Sequence, residues 1–161
     1  MKVVGIDPGT AACGYGIVHA NEGRFRALAY GVWATTAGTA IELRLKTIFD
    51  GVTALVEAHE PAAVVLEESY VGADARTALS VGQARGAVLV ACAAVGIACA
   101  EYAPSRVKQT VCGYGRADKQ QVARMVNVLL GSRESMPNHA SDALAVALCH
   151  VMASPLLKVT A

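Results

Sequence analysis

A change of periodicity near residue 35 constrains the fold more than any other feature of this sequence. Three strand-like segments come before it, at 3–7, 14–20 and 25–34, and the turn residues NEG at 21–23 join the last two. After it, apolar residues recur at helical spacing from Ile41 onwards, and helical patterns then alternate with short apolar runs. The pattern predicts an α/β fold: a five-stranded mixed sheet, three antiparallel strands then parallel strands, with helices on both faces.

Local signals mark the elements that follow the first helix. Pro61 ends that helix, and Asp74 and Asp118 are suitable N-caps for two later helices. In chain order we predict a parallel strand at 62–67, a long helix at 75–95, a fifth strand at 97–102, a helix from Pro104, a helix after Asp118 and a last helix at 139–152.

Composition indicates one domain with its own core. Of the 161 residues, 54% are hydrophobic and 17% are charged, which excludes an intrinsically disordered chain. We expect a single domain at 1–155 and a short C-terminal tail at 156–161. Five scattered cysteines without C-x-x-C spacing indicate reduced thiols and a cytoplasmic protein. The longest uncharged stretch, 86–100, is shorter than the ~20 residues of a membrane span, and residues 1–7 do not resemble a signal peptide.

Charge is distributed unevenly along the chain. Residues 75–133 carry a net charge of +6, whereas the remainder carries −5. A basic middle beside acidic ends is compatible with a nucleic-acid groove next to a metal-binding acidic site. Ordinary solvated helix faces would explain the same distribution equally well.

Acidic residues end two of the predicted strands. Asp7 ends the first strand and Glu67 the fourth, while Asp142 lies one turn into the last helix with His139 on the same helical face. If the first and fourth strands are neighbours, their acids lie side by side and repel, so a fold keeps them only beside a cation. Mg²⁺ and Mn²⁺ prefer oxygen ligands, and two such ions ~3.5–4 Å apart can hydrolyse a phosphate ester.

Each of these residues also has a simpler explanation. Asp7 could serve the turn before the Pro-Gly dipeptide, and Asp142 could be a first-turn acid favoured by the helix dipole. His139 could be a structural residue near the helix N-terminus. Strand alternation allows only one of Glu67 and Glu68 to share the site, and the pattern does not say which.

Several strings in the chain resemble those of one enzyme family. They are GIDPG (5–9), GYGIV (14–18), LEESYVGADARTALSVGQARG (66–86), EYAPSRVKQTVCGYGRADKQQV (101–122) and HASDALAVALCH (139–150), and they follow one another in the family's order. On these strings the chain resembles the RuvC family of Holliday-junction resolvases, whose fold is ribonuclease H-like.

The resemblance implies that Asp7, Glu67, His139 and Asp142 are catalytic and metal-binding. Matching the stretch before GQARG without gaps selects Glu67 over its neighbour. Two Mg²⁺ ions per subunit are implied, both bridged by Asp7, with Glu67 and Asp142 holding one each and His139 completing the shell or assisting the attacking water. Many family members have Asp where His139 stands, and an imidazole there would make Mn²⁺ more competitive with Mg²⁺.

The same resemblance implies a homodimeric endonuclease that binds a four-way DNA junction in recombination and repair. Two symmetric cuts need two active sites related by a two-fold axis, which a C₂ dimer supplies. We expect 5′-phosphate and 3′-hydroxyl ends, and a branch-migration complex of RuvA and RuvB as partner. Small residues along the helix at 75–95 pack either in the core or against the second copy.

Four further residues are expected to bind DNA. Lys108 and Lys119 match family lysines near the active site, where they either stabilise developing negative charge or contact phosphate alone. Tyr70 matches a position that is often aromatic in the family, and it either stacks on an unpaired base or anchors its loop. Arg76 is expected to contact backbone phosphate.

Three other functions fit parts of the sequence. The D-x-G-T string at 7–10 resembles the first phosphate loop of actin-like ATPases, but the chain has no matching second loop and is too short for their duplicated domain. A non-catalytic DNA-binding module of the same fold would have lost acids that are present here. Another ribonuclease H-like nuclease, for example one that cuts RNA–DNA hybrids, is distinguished only by activity.

Overall fold

The computed structural model describes residues 1–68 and 74–153, and within them five strands form one mixed sheet. The strands are β1 (Lys2–Asp7), β2 (Ala12–Asn21), β3 (Arg24–Ala34), β4 (Ala63–Glu67) and β5 (Cys99–Tyr102). They lie in the order β3-β2-β1-β4-β5 across the sheet. β1, β2 and β3 are antiparallel neighbours, whereas β4 is parallel to β1 and β5 is parallel to β4. The predicted α/β architecture is confirmed.

The helices within the described residues begin and end at the signals that the sequence carries. They are α1 (Ile41–His59), α2 (Ala75–Val95), α3 (Pro104–Cys112), α4 (Lys119–Leu130) and α5 (Asn138–Ala153). Asp74 caps α2 by accepting hydrogen bonds from two backbone N–H groups, and Asp118 forms a capping box with Gln121 at α4. Both predicted caps are therefore confirmed.

The strand β5 begins two residues later than predicted. Gly96 takes the left-handed conformation (φ 72°) and ends α2. The N–H of Ile97 then donates to the carbonyl oxygen of Cys92 at 3.0 Å, which closes the helix end. Because this N–H completes the helix, Ile97 is not part of the sheet and pairing starts at Cys99.

Different helices cover the two faces of the sheet. Val4 and Ile6 of β1 are buried in the layer that contains α1 and α2, whereas Val3 lies in the opposite layer with α3, α4 and α5. β1 is thus buried on both faces, which explains its uninterrupted apolar run. The five cysteines are free, and three of them are buried in these layers.

Two glycines allow α5 to lie directly on the sheet. A Cβ atom at Gly5 would overlap the carbonyl oxygen of Ala143, and a Cβ atom at Gly14 would overlap the carbonyl oxygen of His139. Any side chain at either position would push the N-terminal half of α5 away from β1 and β2.

One face of α2 has no partner within the described residues. Leu79 and Val90 on this face are 64% and 61% exposed, and a Cβ atom at Gly82 would meet nothing within 4 Å. The small-residue stripe of α2 therefore lies outside the core of this chain. By length and composition α2 alone among the described helices could cross a membrane, which is weak evidence because helices that pack against protein pass the same test.

Candidate active site

The pairing of β1 with β4 brings two acids to one edge of the sheet. Ile6 lies opposite Leu66 in the parallel register, and the next residue of each strand is Asp7 or Glu67. The two carboxylates therefore end neighbouring strands at their carboxyl ends, where ligand sites of α/β sheets commonly form. The adjacency expected from the sequence is present.

Strand alternation and the end of β4 together place both glutamates. Val65 faces the layer that contains α5, and Leu66 faces the opposite layer, so Glu67 shares its face with Val65. Glu68 lies just beyond β4 and is exposed, yet it lines the same cavity as Glu67. Lining the cavity does not by itself make Glu68 a ligand, so the choice of Glu67 as the site residue stays a prediction.

The helix α5 supplies the third acid and a histidine. Its first turns rest on Gly14, which is the register partner of Asp7 in the β1–β2 pair. This contact places His139 Nδ1 2.7 Å from Asp7 Oδ2, where its N–H donates to the carboxylate. Asp142 follows three residues later on the same helix and lines the cavity that Asp7 lines.

Burial and mutual repulsion raise the pKa of two of the acids. The pKa of Asp7 is raised above its ordinary value, mainly because the carboxyl is removed from water and also because Asp142 is near. The hydrogen bond from His139 acts in the opposite direction. Burial likewise raises the pKa of Glu67, and the charges of Asp7 and Asp142 add to the effect. The three carboxylates are thus close enough to disfavour one another's charge.

Lys119 neutralises part of this charge from inside the site. Its Nζ donates to Asp142 Oδ2 at 2.7 Å, and this hydrogen bond raises the pKa of the lysine. The sequence led us to expect a lysine that is available to DNA. The structure instead places it in an ion pair with a predicted catalytic acid.

A cavity of about 450 Å³ brings the acids and lysines together, and His139 lies outside its lining. Asp7, Glu67, Asp142, Lys108 and Lys119 all line it, which brings together five of the predicted site residues. Its remaining walls are largely apolar and include the following side chains: Pro8, Val81, Pro104, Val107, Val122 and Ala145. Apolar walls strengthen the electrostatic interactions of the charged groups between them.

The acids of the cavity are not spaced as the ligands of a single metal ion. Among residues 1–68 and 74–153, no group of three His, Cys, Asp or Glu side chains has the spacing that a metal ion needs. Oxygens of Asp7 and Asp142 are instead bound by His139 and Lys119. A cation that entered the site would have to compete with these two side chains.

The two other predicted DNA contacts are not part of this cavity. Arg76 lies in the first turn of α2 and is exposed, outside the cavity lining. Tyr70 falls outside the described residues.

Gly5 and Gly14 position α5 on the sheet, and we did not predict this role from the sequence. Both stand in the strings that we quoted, GIDPG and GYGIV, but their effect depends on a helix more than 120 residues away in the chain. Glycine within a buried strand is itself a signal of close backbone approach, and it could have identified them.

A family model described as "Crossover junction endodeoxyribonuclease RuvC" matches residues 3–150. The chain belongs to the RuvC family. The RuvC of Heliobacterium modesticaldum is 50% identical over 150 residues, which cover 92% of this chain and 93% of that protein. Members of the RuvC family are divalent-metal nucleases, and the match favours a nuclease over an actin-like ATPase.

Solved structures of the RuvC family share the fold described above. The structure of Thermus thermophilus RuvC matches with a TM-score of 0.88 and 38% identity over 94% of each chain. The same T. thermophilus protein in complex with a Holliday junction substrate matches with a TM-score of 0.89 and 38% identity, over 94% of this chain and 93% of the other. The fold is therefore ribonuclease H-like.

Proposed function

We propose that the protein resolves Holliday junctions in DNA recombination and repair by symmetric, divalent-metal-dependent hydrolysis of phosphodiester bonds. The products would carry 5′-phosphate and 3′-hydroxyl ends. The convergence of Asp7, Glu67 and Asp142 on one cavity with two lysines carries this proposal. The junction bound to the related T. thermophilus protein supports the choice of substrate.

The donor set suits hard divalent cations. Three carboxylates meet in a partly buried cavity, and the raised pKa values of Asp7 and Glu67 show that their charges lack full compensation. We propose that Asp7, Glu67 and Asp142 hold two Mg²⁺ ions per subunit, and that His139 makes Mn²⁺ a competitor through its nitrogen. When bound, such ions activate water and stabilise the leaving oxygen.

His139 is proposed either to complete the metal shell or to assist the attacking water. Its Nδ1 lies 2.7 Å from Asp7 Oδ2, so Nε2 is the ring nitrogen that remains for a metal ion or a water molecule. The side chain is 49% exposed, so a water molecule can reach that nitrogen.

Lys108 and Lys119 are proposed to stabilise negative charge on the reacting phosphate. Lys119→Ala should then lower the single-turnover cleavage rate at saturating protein by about 100-fold, with a smaller change in junction affinity. Arg76→Ala should instead weaken binding and its salt dependence while the bound complex cuts at the normal rate. A Lys119→Ala enzyme that cuts at the normal rate once saturated would show that the lysine only contacts phosphate.

Tyr70 is proposed to stack on a base at the crossover.

A homodimer is proposed to bring two such sites to one junction. The unpartnered face of α2 provides a contact surface for a second copy, since its apolar side chains are exposed.

We propose that each subunit is a single nuclease domain (1–155) with a short tail (156–161). The protein would act in the cytoplasm with a branch-migration complex of RuvA and RuvB.

The decisive experiment is cleavage of a synthetic four-way junction, labelled in turn on each strand, with Mg²⁺ and then Mn²⁺. Wild type should cut two like-oriented strands at symmetric positions. Asp7→Asn should abolish cutting and retain junction binding, because the substitution removes a metal-binding charge without changing size. Near-normal cutting by this variant would contradict the metal mechanism, and preferential cutting of an RNA–DNA hybrid would favour a different nuclease of the same fold.

A further inference from the structure

A network of hydrogen bonds holds the loop that follows Asp7. This loop joins β1 to β2, and Thr10 within it is only 5% exposed. Three other elements reach Thr10: α1 through Arg44, the segment after β3 through Thr35, and α2 through Ser80.

Arg44 makes the largest share of these bonds. Its Nε–H is shared between the carbonyl oxygen of Thr10 at 3.1 Å and the hydroxyl of Thr35 at 2.9 Å. Its Nη2 donates to the hydroxyl of Thr10 at 3.2 Å. The carbonyl and the hydroxyl of Thr10 therefore both contact one guanidinium, whose planar donors match this arrangement.

The remaining bonds close the network around the loop. The hydroxyl of Thr35 donates to the carbonyl oxygen of Thr10 at 2.6 Å, and the backbone N–H of Thr35 donates to the carbonyl oxygen of Ala11 at 3.0 Å. The hydroxyls of Thr10 and Ser80 share a further hydrogen bond. A partly buried network of this kind is rigid, because each partner that is lost leaves another polar group unsatisfied.

The network constrains the active site indirectly, through the loop that follows Asp7. Asp7 is held on its N-terminal side by the β1 ladder, and the loop with Thr10 constrains its C-terminal side. Among the described residues that line the cavity, none belongs to the network, so Arg44 touches no reacting group.

We infer that Arg44 is a positioning residue, which fixes the Asp7 carboxylate by holding Thr10. The inference rests on the proposed nuclease function. A displacement of about 1 Å at a reacting group can slow an enzyme about 100-fold, so a loose loop would impair cutting without weakening DNA binding.

The test compares substitutions in the full-length protein. Arg44→Ala removes the guanidinium, Arg44→Lys retains its charge without the planar donors, and Thr35→Val removes one hydroxyl at nearly constant volume. Lys46→Ala is the matched control, since Lys46 lies on the same helix, is 66% exposed and, within residues 1–68 and 74–153, pairs only with Asp50. Hydrogen exchange of the peptide spanning residues 7–13 reports on the loop, and single-turnover cleavage at saturating protein reports on the reaction.

Arg44→Ala should accelerate exchange in that peptide and slow cleavage by about 10- to 100-fold, with the junction Kd within about twofold of wild type. Arg44→Lys should recover part of both losses, Thr35→Val should show a smaller loss, and Lys46→Ala should match wild type. Unchanged exchange, or an unchanged rate in Arg44→Ala when wild type cuts, would overturn the inference. If wild type does not cut junctions, the proposed function fails, whereas the exchange measurement still decides whether Arg44 holds the loop.

Discussion

At the scale of single residues, Lys119 and His139 are the side chains that bind the acidic edge of the sheet. Each binds an oxygen of one predicted metal ligand, Asp142 or Asp7. In the Lys119–Asp142 pair the lysine side chain is 62% exposed and the aspartate 26% exposed, and a pair with one partner largely in water contributes little to stability. A divalent ion could therefore take over Asp142 at small cost, and the displaced ammonium would be available to a DNA phosphate.

The raised pKa of Glu67 predicts that its charged carboxylate lowers the stability of the metal-free fold. Because the folded state raises this pKa, the charged carboxylate destabilises the fold above the folded-state pKa, and the penalty disappears as the pH falls below the ordinary value of about 4.3. Glu67→Gln should therefore raise the Tm in EDTA at pH 7.5 by about 2–5 °C. The gain should shrink as the pH is lowered towards 4.5.

Two controls make the Glu67 measurement specific. Glu57→Gln changes an exposed acid on α1 and should leave the Tm unchanged at both pH values. Added Mg²⁺ should stabilise wild type more than Glu67→Gln, since a ligand stabilises only the state that binds it. A lower Tm for Glu67→Gln at pH 7.5 would mean that the carboxylate is a structural group.

At the scale of elements, the sequence predicts most where the signal is local. The caps at Asp74 and Asp118 and the left-handed stop at Gly96 involve neighbouring residues, so α2 and α4 could be placed from the chain alone. The ion pair of Lys119 with Asp142 and the bonds of Arg44 to Thr10 join distant segments and leave no periodic pattern. These contacts required the structure.

The close approach of α5 to the sheet gives a prediction at the same scale. Gly14→Ala would drive a methyl group into the carbonyl oxygen of His139 and shift the N-terminus of α5. We expect a loss of stability of about 1–3 kcal/mol and a loss of cutting that exceeds the unfolded fraction. Chemical denaturation and single-turnover cleavage below the unfolding transition measure the two effects.

Gly51→Ala provides the matched control for overpacking. Its new methyl group would press on the Trp33 ring, which lies away from the cavity lining. This variant should lose stability and retain the cleavage rate of its folded fraction. If Gly14→Ala behaves in the same way, the spacing between α5 and β2 does not control the site.

At the scale of the whole molecule, the exposed face of α2 is the surface through which we propose that two active sites meet one junction. Leu79 and Val90 are 64% and 61% exposed on a helix whose opposite side is already packed in the core. Solvent-exposed apolar side chains in a row, with glycines between them, are characteristic of surfaces that bind protein. We propose that each copy of the chain supplies one cavity of the kind described, so that the second copy provides the site for the second cut.

Leu79→Asp should therefore convert a dimer to a monomer, because a buried unpaired carboxylate at the centre of the contact is strongly unfavourable. Val128→Asp is the matched control, since Val128 is 70% exposed on α4, away from the α2 face. Light scattering gives the mass of each variant. A supercoiled plasmid with a cruciform distinguishes paired cuts from independent cuts, because paired cuts linearise the plasmid whereas an independent cut first nicks it. The Leu79→Asp monomer should nick, and Val128→Asp should linearise. A Leu79→Asp protein that remains dimeric would show that the dimer contact lies on another surface. A monomer that linearises the plasmid in one binding event would show that paired cutting does not require two sites.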